Sequence, residues 1–257
     1  MISSLSNARV KWVRALQAKR KARDEESVFV VEGTRWAEEV LDAEAPVSLV
    51  LHTPHLDDRG RGIVNRLARL GGEILPVSDS VMAACSDTQT PQGLLLVLPR
   101  PELALPSSPS LLIILDRLSD PGNLGTILRT ALAAGVEGVG LTPGSVDPFN
   151  PKVVRAAMGA LLHLPLSMVE PASVRAWAGP TQLWRTQVGQ GTPYDQVDWR
   201  EPATLLIGGE AHGLTPEMDQ AVSKVTHIPM HGASDSLNAA IATAVFLFEI
   251  RRQRGHP

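Results

Sequence analysis

Five consecutive aliphatic residues, LLIIL at 111–115, place the tightest constraint on what this chain can fold into. A strand with one face in water alternates apolar and polar side chains. A strand that is apolar throughout needs cover on both faces, which a parallel sheet between two helical layers supplies. TLLI at 204–207 repeats the pattern. Around these runs the chain alternates strand-length segments (138–141, 164–168, 182–187) with helical ones (126–134, 153–161, 174–178, 218–221). That alternation predicts a doubly wound α/β unit, whose ligands gather outside the carboxyl ends of its strands.

A second, smaller α/β unit precedes it. Strands are expected at 27–31, 47–52, 74–77 and 94–98, with helices at 36–42, 63–70 and 78–84 between them. PRPELALPSSP at 99–109 resists regular packing and reads as a linker. The expected domains are therefore 1–98, a linker at 99–109, and 110–257; a chain of 257 residues holds two such cores. The net charge of −3 does not by itself mark a nucleic-acid binder. The distribution does: residues 9–23 hold Arg9, Lys11, Arg14, Lys19, Arg20, Lys21 and Arg23 with no acid. Val10, Val13 and Leu16 supply an apolar stripe, so 7–23 is expected to form one basic helix. Its cations, Arg9, Lys11, Lys19, Arg20 and Arg23, with Arg35 beyond, are candidates for contact with phosphates. The single cysteine, Cys85, excludes an internal disulfide and a cysteine-based metal site. His227 and His231 straddle a proline, so no metal is expected. The polar residues 1–9 and the short apolar runs lead us to expect a soluble cytoplasmic protein.

Three stretches carry chemistry. In Asn123-Leu124-Gly125-Thr126-Ile127-Leu128-Arg129, two glycines (Gly122, Gly125) suggest a tight loop before a helix, and Arg129 interrupts an apolar helical row. Its guanidinium is suited to a phosphate, though a surface arginine pairing with a carboxylate has the same sequence appearance. Gly208-Gly209-Glu210-Ala211-His212-Gly213-Leu214 follows a strand, which suggests a ligand lying against bare backbone. It is not the dinucleotide fingerprint, since the spacing and the later acidic residue are missing. The third stretch, 228–249, passes from a strand end through a polar turn into a helix expected near Leu237, capped by Ser234 or Asp235. There Leu237, Ala240, Ile241, Ala244, Val245 and Phe248 recur at the period of a buried face.

Together the three resemble the SpoU (TrmH-type) family of RNA ribose 2′-O-methyltransferases, in the SPOUT superfamily. The likeness rests on Asn123-x-Gly125-x-x-x-Arg129-x-Ala131, on Gly208-x-Glu210-x-x-Gly213-Leu214, and on Ile228-Pro229-Met230 followed by Ser236-Leu237-Asn238. The stretch Asp147-Pro148-Phe149-Asn150-Pro151-Lys152 resembles the branch that modifies ribosomal RNA. Asn7, Lys11, Phe29, Glu32-Gly33, Arg35 and Thr90-Pro91-Gln92-Gly93 resemble the same family's L30e/L7Ae-like substrate-binding domain. One departure stands out: Ala239-Ala240 follows Asn238 where several relatives carry Val-Ser.

The resemblance implies a SPOUT domain with a deep trefoil knot, S-adenosyl-L-methionine as cofactor, and a homodimer acting on RNA. It implies catalytic roles for Asn123, Arg129, Glu210, Ser236 and Asn238. It implies cofactor contacts from Thr142, Pro143, Gly144, Gly208, Gly209, Glu210, Ile228, Met230, Ser236 and Leu237. Ribosomal RNA is the favoured substrate. Transfer RNA, or a non-catalytic RNA-binding role, are the alternatives.

Overall fold

The structure is a computed structural model and describes residues 1–209, 213–231 and 236–255. It forms two compact units, Met1–Pro101 with Asp147–Leu162, and Glu102–Val146 with His163–Pro257. The stretch 147–162, expected inside the second domain, thus packs within the first unit.

The first unit opens with α1 (Ala8–Ala18), whose free amides are capped by Asn7 Oδ1, 2.9 Å from Arg9 N. Val10, Val13 and Leu16 are buried, as their spacing requires. Lys19 then turns extended (φ −125°, ψ 121°) and α2 (Arg20–Glu26) begins. The single basic helix expected over 7–23 is therefore two helices; no glycine or proline announces the break. Arg23 needs a second correction, because it is only 3% exposed. Its Nε and Nη2 donate to Asp147 Oδ2 at 3.0 and 2.6 Å, and its Nη1 donates to the Leu16 carbonyl at 2.5 Å. A buried guanidinium persists only when so paired, and here none of it is left to face RNA. Among the other candidates, Arg9 pairs with Glu73 at 2.7 Å and Arg20 with Asp24 at 3.3 Å, both on the surface. Lys11, Lys19 and Arg35 are exposed.

Next come β1 (Val28–Glu32), α3 (Thr34–Asp42), β2 (Leu49–His52), α4 (Asp58–Leu67), β3 (Glu73–Pro76), α5 (Asp79–Cys85) and β4 (Leu94–Pro99). The sheet order is β1-β4-β2-β3; β4 runs antiparallel to both neighbours, and β2 and β3 are parallel. Val10, Val13 and Leu16 pack with Val30, Leu51, Met82, Cys85 and Val97 in one core cluster.

The second unit is built on β5 (Leu111–Asp116), every residue of which is buried. Helix α6 (Pro121–Ala134) follows; Asp120 Oδ1 accepts from Asn123 N at 2.6 Å and proline occupies the first turn. It ends at Gly135, which takes φ +82°. The helix thus starts before Thr126, where sequence placed it, and Gly122 and Gly125 are helical residues rather than a loop. After β6 (Gly138–Leu141), α7 (Pro151–Ala157) belongs to the first unit. There Phe149 packs on Phe29 with ring centroids 5.1 Å apart. The second unit resumes with β7 (Leu166–Met168), α8 (Val174–Ala178), β8 (Gln182–Thr186), β9 (Thr192–Pro193), β10 (Ala203–Gly208), α9 (Pro216–Gln220), β11 (Lys224–His227) and α10 (Ala239–Gln253).

Among the described residues this sheet has seven strands in the order β7-β6-β5-β10-β8-β11-β9, all parallel where paired. The two apolar runs are neighbours, with Gly208 opposite Asp116. Helix α10 packs on α6 and β10, but not by the face that sequence proposed. Ala239, Ala240, Thr243, Phe246, Leu247 and Ile250 are buried, whereas Ile241 is 55% exposed and Phe248 49%. The helix is apolar on two faces, and periodicity cannot say which of them the chain itself covers. Its cap is also displaced: Asn238 Oδ1 accepts from Ala240 N at 2.9 Å and Ile241 N at 3.3 Å. The proposed caps Ser234 and Asp235 lie outside the described residues. Among the described residues no helix is long and apolar enough to cross a membrane.

Candidate functional site

The carboxyl ends of β5, β6 and β10 bring three loops together, and a buried carboxylate ties them. Asp116, the last residue of β5, is 1% exposed. Its Oδ1 accepts from Thr142 Oγ1 at 2.7 Å, and its Oδ2 accepts from Thr215 N at 2.6 Å. Thr142 Oγ1 in turn accepts from Arg117 N at 2.9 Å. The direction of each bond is therefore fixed: the amide of 117 donates to the hydroxyl, the hydroxyl to the carboxylate, and the amide of 215 to its other oxygen. Asp116 was not among the residues that sequence singled out. The signal was present, because an acid closes an otherwise aliphatic strand, and such a group stays buried only with partners.

The glycines of the second stretch are required by neighbouring backbone. A Cβ on Gly208 would strike the backbone of Gly213 and Leu214, and one on Gly209 would lie 2.8 Å from the Arg117 carbonyl oxygen. Gly213 N donates to Gly209 O at 3.0 Å, closing the loop on itself. The backbone is bare at Gly208 and Gly209 because other backbone passes there. Arg117 itself adopts φ +51°, a conformation that side chains disfavour and that tends to persist where loops are over-determined. Gly144, at φ +92°, turns the loop after β6 tightly and leaves Pro143 and Gly144 exposed.

The first and third stretches meet directly. Asn238 Nδ2 donates to Asn123 Oδ1 at 2.9 Å, joining the first turn of α6 to the start of α10. Asn238 thus spends its oxygen on its own helix and its amide on the neighbouring one. Arg129 lies about two turns along α6; it is exposed, and among the described residues it has no hydrogen-bond or ion-pair partner. Ser236 and Leu237 are exposed just ahead of α10. Ile228 and Met230 are half-buried beyond β11, which β8 separates from β10. Glu210 lies outside the described residues. Thr215 Oγ1 is buried beside this loop cluster, without a partner among the described residues. The carboxyl edge of the sheet therefore offers a loop cluster with exposed backbone and the Thr215 hydroxyl, flanked by the exposed Arg129 guanidinium on α6. Such an edge can hold a polar cofactor and draw in an anionic substrate.

Known proteins are similar to this chain over both units. Residues 110–248 match the SpoU rRNA Methylase family, and residues 7–96 match an MRM3-like substrate binding domain. The 23S rRNA (guanosine(2553)-2′-O)-methyltransferase RlmP of Bacillus subtilis is 31% identical, over 97% of this chain and 98% of that protein. The crystal structure of an AdoMet-bound rRNA methyltransferase from Sinorhizobium meliloti has 32% identity and a TM-score of 0.87, covering 98% of this chain and 97% of that one. The SpoU methyltransferase AviRb from Streptomyces viridochromogenes, solved with AdoMet, has 29% identity and a TM-score of 0.86, covering 96% of this chain and 99% of that one.

Proposed function

The chain belongs to the SpoU rRNA methylase family, and on that premise we propose that it transfers a methyl group from S-adenosyl-L-methionine to a ribose 2′-hydroxyl of ribosomal RNA. The observation that carries the reading is the Asn123–Asn238 hydrogen bond at 2.9 Å, which fixes the start of α6 against α10 beside the exposed Arg129. Ribosomal RNA is favoured over transfer RNA because relatives named for it align over both units, the substrate-binding match at 7–96 included.

The loop cluster fits the cofactor. Thr142, Pro143, Gly144, Ile228, Met230, Ser236 and Leu237 would hold it, with Thr215 Oγ1 as an unspent buried hydroxyl. Gly208 and Gly209, whose missing side chains let the loop pass close to neighbouring backbone, would hold it too, and the family resemblance implies the same for Glu210. The cofactor, when bound, would supply a sulfonium methyl to the ribose 2′-oxygen, the carbon–sulfur bond breaking to leave neutral S-adenosylhomocysteine and the hydroxyl proton passing to solvent. The protein's own part is alignment and charge. Asp116 holds the loops that align the reactants, an effect that supplies a large share of rate enhancement in such displacements. The Arg129 guanidinium would bind the phosphate beside the reacting ribose and stabilise negative charge building on its 2′-oxygen. In this reading its first role is electrostatic. Asn123 and Ser236 would orient the ribose, with Asn238 fixing Asn123.

The same reading includes a homodimer. Leu132 on α6, with Ile241 and Phe248 on α10, is a large apolar side chain exposed on the chain alone, and burial against a second copy would remove these side chains from water. Arg129 lies one turn before Leu132, so it would work at the partner's site. The reading also includes a trefoil knot in the second unit, as the family resemblance implies. The first unit would be an L30e/L7Ae-like RNA-binding domain, with Arg9, Lys11, Lys19, Arg20 and Arg35 toward the substrate. The protein would work in the cytoplasm.

The test uses purified protein, radiolabelled S-adenosylmethionine and ribosomal RNA lacking its modifications. Label in alkali-resistant linkages is expected, since a 2′-O-methyl group blocks cleavage of the adjoining phosphodiester. Label on a base would overturn the ribose assignment, and no label despite cofactor binding would favour the non-catalytic alternative.

A further inference from the structure

Arg117 follows Asp116 at the carboxyl edge of the second unit's sheet, and its backbone is one that suits glycine. Among the described residues, the non-glycine residues with positive φ are Ser27, Glu44, Arg117 and Met158. Ser27, Glu44 and Met158 come after helices α2, α3 and α7, where a left-handed turn is ordinary. Arg117 instead follows a strand, β5, at φ +51°. Its surroundings hold it there. Thr142 Oγ1 accepts from its N–H at 2.9 Å, Gly209 leaves room for its carbonyl, and the Leu118 carbonyl accepts from Val146 N at 2.8 Å. A left-handed conformation costs free energy in any residue with a side chain, and glycine would adopt it without that cost. Strain that the surroundings enforce gathers where a side chain has a task.

The side chain is exposed and runs across the loop after β6. A Cβ on Gly144 would stand 3.4 Å from Arg117 Nε and 3.6 Å from its Cγ. Thr142, Pro143 and Gly144 form the part of that loop assigned above to the cofactor. Among the described residues the guanidinium has no hydrogen-bond or ion-pair partner. The neighbouring carboxylates are engaged: Asp116 is buried with both oxygens bonded, and Asp120 caps α6. The charge is therefore available to an incoming anion. Two anions come to this edge, the cofactor's carboxylate and a phosphate of RNA. S-adenosylmethionine carries a sulfonium and an ammonium against one carboxylate, so it is a net cation and a guanidinium repels it on balance. RNA carries only negative charge along its backbone, and the guanidinium fork fits a phosphate.

We propose that Arg117 holds a backbone phosphate of the substrate RNA against the cofactor loops, a contact additional to that of Arg129. The inference rests on the reading that the chain methylates RNA, and it adds a substrate-binding residue on the chain's own loop cluster. The strain at 117 then has a function, since glycine in its place would relax the backbone and lose the cation.

Three variants of the full-length protein test this on an unmodified ribosomal RNA transcript. Arg117→Gly suits the backbone and removes the side chain, Arg117→Gln removes the charge, and Arg117→Lys keeps it. The Gly and Gln variants are expected to raise the KM for RNA about tenfold with kcat little changed. They should also flatten the dependence of log binding constant on log salt by about one unit. Arg117→Lys should stay close to the parent on both readouts. The melting temperature of Arg117→Gly should not fall, and S-adenosylmethionine binding in calorimetry should not change in any variant. A lower melting temperature with an unchanged salt dependence would make Arg117 a structural group and overturn the proposal. Weaker S-adenosylmethionine binding with an unchanged KM for RNA would assign the guanidinium to the cofactor's carboxylate and overturn it too. Methylation by all three variants as by the parent would overturn the contact alone. Cofactor binding without RNA binding or methylation by the parent would overturn the RNA reading, and the contact with it.

Discussion

Arg23 and Arg129 are both helical arginines, and the structure treats them in opposite ways. Arg23 sits in a run of cations, yet it is 3% exposed and bound to Asp147 and to two backbone carbonyls. Arg129 stands without charged neighbours in the sequence of α6, yet it is exposed, with no partner among the described residues. The contrast teaches that a count of local charge does not locate a binding surface. What separates the two is a carboxylate more than a hundred residues away, which supplies Arg23 with a partner.

Breaking the buried pair should have the largest effect. Arg23→Ala leaves Asp147 charged and enclosed, so a loss of about 3–5 kcal/mol is expected in denaturant unfolding. The double replacement Arg23→Met with Asp147→Leu should recover most of that stability, because the remaining cost of the single change is the stranded charge. An equally unstable double variant would mean that the pair does more than neutralise itself.

A smaller effect is expected at the carboxylate that ties the loops of the candidate site. Asp116→Ala leaves the Thr142 hydroxyl and the Thr215 amide without their acceptor, at a cost of about 1–3 kcal/mol. If Asp116 positions the cofactor loops, the dissociation constant for S-adenosylmethionine should also rise by about an order of magnitude in protein that is still folded. Unchanged binding in calorimetry would reduce Asp116 to a stabilising group.

Asn238 allows its two hydrogen-bonding roles to be separated. Asn238→Asp keeps the cap on α10 but removes the amide donor to Asn123, so stability should move by less than about 0.5 kcal/mol. Methyl transfer should fall by about tenfold, the size of one lost hydrogen bond. Asn238→Ala removes both roles and should in addition lower stability by about 1 kcal/mol. Equal activity in the Asp and Ala variants and the parent would remove the Asn123–Asn238 bond from the mechanism.

The smallest expected signal is at Cys85. Burial pushes its thiol up to about 11, and Arg14 nearby opposes this only in part. At neutral pH the group is a thiol rather than a thiolate, so native protein should react slowly with maleimide and unfolded protein rapidly. Fast labelling of the native state would show that the core around α1 and α5 opens.

The architecture was legible where sequence carried a single meaning. The aliphatic runs at 111–115 and 204–207 could only be covered parallel strands, and they lie side by side. The three motif stretches also sit where open α/β sheets place ligands. Sequence was silent or misleading where partners are distant. Nothing local tells that Arg23 meets Asp147, that Asp116 holds Thr142 and Thr215, or that Gly209 is bare because the Arg117 carbonyl passes it. Helix α10 shows a different limit. Leu237, Ile241 and Phe248 follow the period of a buried face, but the chain buries the opposite one and leaves these exposed. A second apolar face is invisible to a reading that assumes every stripe is covered by its own chain.

The most direct measurement compares methyl transfer to unmodified ribosomal RNA by the parent and by Arg129→Ala, with thermal unfolding followed on the same samples. The account predicts that transfer to ribose falls by about two to three orders of magnitude, the cost of removing one preorganised charge stabiliser. The exposed position of Arg129 predicts a melting temperature that does not move. Full activity in the variant, or a loss that merely follows unfolding, would contradict the assignment of Arg129 and with it the site built around α6 and α10.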